Sequence, residues 1–83
     1  MQGPIFYEIK EFYHRVRNEG IYWSEYIQYK KYLRNKIDDK VEDLLSLNKY
    51  LWLQGKITKQ QYTTMQLRIV NSRTYYKKLV SYC

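Results

Sequence analysis

The chain has 83 residues, with 15 Lys and Arg against 8 Asp and Glu, a formal net charge of +7. A chain of that length holds one domain, residues 1–83, and buries only roughly 60–65% of its unfolded surface, which leaves little room for a deep enclosed substrate pocket. With 45% apolar and 28% charged residues it is not a disordered polymer, and no stretch of apolar residues is long enough for a transmembrane segment.

Glycine and proline are confined to Gly3, Pro4, Gly20 and Gly55. The uninterrupted stretches between them predict an all-α protein. The first helix is expected from Pro4 to Asn18. Proline suits a first helical turn, Ile5, Ile9, Phe12 and Val16 form one stripe widened by Phe6 and Tyr13, and Gly20 supplies the stop.

The second helix is expected over residues 22–54. Tyr22, Tyr26, Tyr29 and Leu33 are helically spaced, and Ile37, Val41, Leu44 and Leu51 continue the face to Trp52. A break near residues 35–38, with Asp39 to Glu42 as a new capping box, competes with one long helix. The unbroken periodicity favours the long helix. Asn48 falls inside the stripe; a buried Asn can fix helix register, whereas a slight rotation of the helix places it at the rim.

The next boundary is the sharpest. Gly55 is a C-cap glycine three residues before Thr58, and Thr58-Lys59-Gln60-Gln61 reads as a capping box. The last helix, over about residues 58–82, carries Tyr62, Met65, Ile69, Tyr76, Leu79 and Val80 on one face. The expected architecture is therefore an N-terminal helix packed on a long antiparallel helical hairpin, three to four helices in all.

Charge is divided unevenly. All eight acids lie within residues 1–43, matched there by eight bases. Residues 44–83 contain no acid, so the whole net charge resides in that half. Such a segment attracts anionic partners: nucleic acid, an acidic protein surface or anionic lipid headgroups. Its candidate contacts to an anionic partner are Lys56, Lys59, Arg68, Arg73, Lys77 and Lys78. A helix-turn-helix around Gly55 is not supported, because Gln61 and Thr64 are polar where that motif packs apolar residues on the preceding helix.

Tyrosine is abundant, 11 residues against two Phe and two Trp. Tyrosines suit the rim of a thin core and are also enriched at interfaces. Tyr50, Leu53, Leu67, Tyr75 and Tyr82 fall off the expected core stripes, which makes them candidate partner-binding residues.

No catalytic residues can be assigned. His14 lies on the polar face of the first helix without a second His or a Cys to complete a metal site. The acidic run Asp38, Asp39, Glu42 and Asp43 lacks calcium-loop spacing. Neither a phosphate-binding loop nor a nucleophile elbow is present. The expectation is no enzyme, no cofactor and no metal. Cys83 is the only cysteine, so no intrachain disulfide forms, and a disulfide-linked homodimer is the one redox option. The N-terminal MQGPIFYEIKEF does not have the form of a secretory signal, and the expected location is cytoplasmic.

The segment Leu51-Trp52-Leu53-Gln54-Gly55-Lys56-Ile57-Thr58-Lys59-Gln60-Gln61-Tyr62 resembles the G-x-I-T-x-x-Q-Y turn of short helical phage proteins of the XkdX type and the SHOCT-type short helical domain. The resemblance covers about a dozen residues and implies a small accessory protein of a phage or mobile element, acting in the host cytoplasm. The leading functional expectation is a non-enzymatic protein-binding module that inhibits or redirects a host or phage protein with an acidic surface. A nucleic-acid-binding protein is the alternative, and a virion or scaffolding subunit a further one.

Overall fold

The structure, a computed structural model, describes residues 4–83, which form three helices: α1 (Pro4–Asn18), α2 (Trp23–Leu53) and α3 (Lys59–Ser81). The protein is all-α. No helix among the described residues is long and apolar enough to cross a membrane.

Local chemistry sets each helix end. The amides of Glu19 and Gly20 close α1 on the Arg15 carbonyl, with Gly20 at φ +70°. After α2, Gly55 turns left-handed at φ +73°. Its amide reaches the Trp52 carbonyl, and the Lys56 amide reaches the Leu51 carbonyl at 2.9 Å. This is the Schellman arrangement, which a residue with a Cβ adopts only at a steric cost. Thr58 then starts α3: its hydroxyl accepts from the Gln61 amide at 3.1 Å, and Gln61 Oε1 accepts from the Thr58 amide at 2.9 Å.

α2 is unbroken over 31 residues. Asp39 and Glu42 do not start a new helix, because Leu33, Ile37, Val41, Leu44 and Asn48 hold one inward stripe through that region. Asp38 and Lys77, Glu42 and Arg73, and Trp52 and Tyr62 meet across α2 and α3, so these helices lie side by side in opposite directions. α1 lies along the N-terminal half of α2, also reversed: Phe12 meets Tyr26 and Tyr29, and Glu8 meets Tyr32 and Lys36.

The core is thin. Ile9, Phe12, Leu33, Ile37, Val41, Ile69 and Val80 are buried in one cluster, with Ile5, Val16, Ile21, Tyr26, Tyr29, Leu44, Leu45, Tyr76, Leu79 and Cys83 packed around it. The molecule is a rod, 50 × 19 × 16 Å, with a radius of gyration of 15.7 Å. A compact chain of this length has a radius of about 12 Å. The difference reflects two long helices of which α1 covers only one end.

Asn48 is buried, and its Nδ2 donates to the Tyr62 carbonyl at 3.0 Å. It therefore sits in the α2/α3 contact rather than at the rim. Two other stripe residues behave differently from their spacing. Tyr22 is the N-cap, with extended backbone, so helical spacing does not govern it and its ring is exposed. Met65 points along the α3 stripe yet is 44% exposed, because α1 does not reach that far.

With so few buried side chains, each matters. Leu33→Ala removes a fully buried leucine at the junction of all three helices. We expect a loss of about 3 kcal/mol, read as a lowered urea midpoint at unchanged slope.

Candidate interaction surface

The six candidate cations fall into two groups. Arg73 and Lys77 face α2. Lys77 Nζ is 2.8 Å from Asp38 Oδ1, and Arg73 approaches Asp38 at 3.7 Å and Glu42 at 3.2 Å. The i, i+4 spacing of Asp38 with Glu42, and of Arg73 with Lys77, places both pairs on facing stripes. Arg73 Nε is buried there without a hydrogen bond. These two cations are neutralised within the fold. Lys56, Lys59, Arg68 and Lys78 are exposed and form no ion pair among the described residues. Lys56 and Lys59 flank the turn between α2 and α3, with Arg68 further along α3.

The five candidate partner-binding residues are all exposed, from 54% at Tyr50 and Tyr75 to 65% at Leu53 and Leu67. They do not form one patch. Tyr50 and Leu53 occupy the last turn of α2, beside the interhelical turn. Tyr82 caps the opposite end of α3, roughly 22 Å along the helix from Leu67 at 1.5 Å per residue. There it lines a cleft with Phe6, Tyr13, Leu79 and Cys83.

Sequence reasoning did not single out Leu47 as a binding residue and assigned Met65 to the core. Both line a groove of about 460 Å³ together with Leu44, Asn48, Leu51, Ile57, Gln61 and Ile69. Leu47 is 53% exposed. Leu44 and Ile69 belong to the core as well as to the groove, so the groove is the open continuation of the core beyond the end of α1. The signal available in the sequence was helix length: α1 is 15 residues and α2 is 31.

At the other end, Glu8 bridges α1 to α2. It accepts hydrogen bonds from Lys36 Nζ and from the Tyr32 hydroxyl. The bonds to Glu8 and Tyr32 raise the Lys36 ammonium above its usual range. Burial, then the Glu8 charge, pushes the neighbouring Tyr29 phenol up. His14 is exposed beside the Tyr13 ring. Among the described residues no three His, Cys, Asp or Glu side chains gather to hold a metal.

Cys83 folds back on the core, with Sγ 3.6 Å from the Leu79 carbonyl and 3.9 Å from that of Ile9. Burial pushes the thiol up, partly offset by Lys30 and Arg17. Compared with known proteins, the chain matches no family model, no curated protein and no solved structure.

In a double-mutant cycle, Asp38→Asn and Lys77→Met should show a coupling of about 0.5 kcal/mol that fades in high salt, as for part-exposed pairs. Additive losses would show that the pair contributes nothing. Cys83 should alkylate more slowly in the native protein than in urea, with its rate profile displaced to higher pH, since only the thiolate reacts. Equal profiles in the two states would place the thiol in open solvent.

Proposed function

We propose that this protein is a small, basic, non-enzymatic protein-binding module, a helical hairpin with an N-terminal helix laid against one end. It would act in the cytoplasm as an accessory factor of a phage or mobile element, docking on an acidic protein surface to inhibit or redirect its target. The observation that carries this reading is the concentration of exposed apolar side chains around the interhelical turn. Leu47, Tyr50, Leu53 and Met65 are each 44–65% exposed toward that end, and Leu67, 65% exposed, lies further along α3 on its other side. Scattered surface leucines need no explanation, whereas a cluster rimmed by charge supports an interaction site. The unpaired Lys56, Lys59 and Arg68 at the same end would steer an acidic partner to it.

Nucleic acid is the second reading, favoured by the same unpaired cations together with Lys78. It is weakened by Arg73 and Lys77, which already have carboxylate partners on α2. A phosphate would have to compete for them.

Titrating labelled duplex DNA, single-stranded DNA and RNA at about 50 and 200 mM salt separates the two readings. The module reading expects no sub-micromolar binding even at the lower salt. Tight binding that collapses between the two salts, and that Lys56→Gln with Arg68→Gln weakens, would transfer the protein to the second reading. For the module reading itself, Leu53→Asp with Leu67→Asp should reduce capture of a cognate protein at least tenfold while leaving the helical circular dichroism intact. Unchanged capture would remove the outward face from the binding surface.

A further inference from the structure

We infer that the groove beyond the end of α1 is a seat for an amphipathic helix of a partner protein, one that carries carboxylates along its edges. This inference rests on the protein-binding reading and gives it a particular occupant.

Shape comes first. α1 already shows what this surface accepts: an amphipathic helix whose Ile9 and Phe12 fill the space beside Leu33 and Ile37. Glu8 meets Lys36 of α2, and α1 begins one turn before Glu8, at Pro4. The groove begins further along α2 at Leu44 and continues through Leu47 and Leu51 to Ile57 in the turn. From the end of α1 to the turn there remain about 14 residues of α2, or about 21 Å, the length of a three- to four-turn helix. An incoming helix would thus lie end to end with α1 on the same core.

Chemistry comes second. The floor of the groove is Leu44, Leu51, Met65 and Ile69, which suits leucine-sized side chains at i, i+3, i+4 and i+7 and offers nothing to a phosphate. Asn48 also lines it. Its Nδ2 is taken by the Tyr62 carbonyl, while its Oδ1 accepts no hydrogen bond among the described residues. That oxygen is one polar anchor for a donor on the incoming helix.

Charge decides between occupants. Every residue lining the groove lies in the acid-free segment 44–83. Lys56 adjoins Ile57 at the turn end. Arg68 borders Gln61 and Met65 along α3. Lys40 precedes Leu44 by one turn on α2. None of these cations has an ion-pair partner among the described residues, and the carboxylate on the α2 edge is Asp43, next to Leu44 and one turn before Leu47, so these three cations face one acid. The rim is therefore positive. A second copy of this chain would bring another +7 to the same contact. An acidic helix complements the rim and a basic one is repelled.

The test uses the full chain and three labelled 14-residue helical peptides followed by fluorescence anisotropy. One has leucines at i, i+3, i+4, i+7 and i+11 with Glu on the flanks. The second replaces each Glu by Lys, and the third shuffles the leucines out of helical spacing. The Glu peptide should bind at least about tenfold more tightly than either control. Leu47→Asp and Met65→Asp should each weaken it by a similar factor. Thr63→Asp, two residues before Met65 and so on the opposite side of α3, should leave it unchanged. Variants are compared at matched helical circular dichroism; should Leu47→Asp unfold, Leu47→Ser takes its place. Equal binding of the Glu and Lys peptides, or binding of neither, overturns the proposal. So does a dimer in light scattering that Met65→Asp splits, which gives the groove to a second copy. Peptide binding lost only on Leu67→Asp overturns the groove and leaves the protein-binding reading standing on the outward face. Duplex DNA that displaces the Glu peptide, and whose own binding Met65→Asp abolishes, removes both.

Discussion

α1 contributes about 22 Å of helix to a pair whose longer member spans about 46 Å. This mismatch governs the rest of the molecule. Where three helices meet, Phe12, Leu33, Ile37 and Val80 are fully buried. Where only two meet, the same kind of stripe is half open. Two helices enclose only what lies directly between them, as Asn48 does, so Leu44, Leu51 and Met65 keep contact with water although their spacing marks them as core. The 50 Å rod is the shape that results, and its stability is concentrated at the α1 end.

The two-helix end must be held in register by something other than a broad apolar seam. Three contacts run along α2 and α3: the Asp38/Glu42 to Arg73/Lys77 ladder, the Asn48 amide on the Tyr62 carbonyl, and the stack of Trp52 on Tyr62 at 4.6 Å. The ion pairs are part exposed and contribute little energy each. Their value lies in direction and register, since sliding α3 by one residue would turn Arg73 and Lys77 off the acidic stripe. Asn48 acts in the same sense: a leucine there would tolerate several registers, whereas the amide needs one particular carbonyl. Tyr62 takes part in two of the three contacts and so couples the turn to the body of the pair.

The helix boundaries were legible because they depend on chemistry within a few residues: Pro4, the left-handed Gly20 and Gly55, and the Thr58–Gln61 box. The continuity of α2 was legible from its stripe, despite a plausible capping box at Asp39. The exposure of Met65 and the fate of the cations were not. Arg73 and Lys78 look alike in sequence, yet one faces Glu42 and the other faces water, because the rotation of α3 against α2 is a property of the packed pair. The same limit applies to the surface residues. Helical spacing shows that Leu67 and Tyr82 leave the core stripe, but only the packed arrangement shows that they lie roughly 22 Å apart.

Pairing inside the fold also changes how the net charge is to be understood. The acid-free half appears in sequence as a uniform cationic segment. Folding returns acids to its middle, at Asp38 and Glu42, and leaves the turn end uncompensated at Lys56, Lys59 and Arg68. A cation already facing a carboxylate must give up that partner to bind a phosphate, so the middle of α3 is a poor track for a nucleic-acid backbone. The cations that remain stand beside the leucines and methionine that α1 leaves uncovered. Positive charge and open apolar surface at one end of a rod favour a partner that offers both carboxylates and apolar side chains. An acidic amphipathic helix offers both, and a bare polyanion satisfies only the charge.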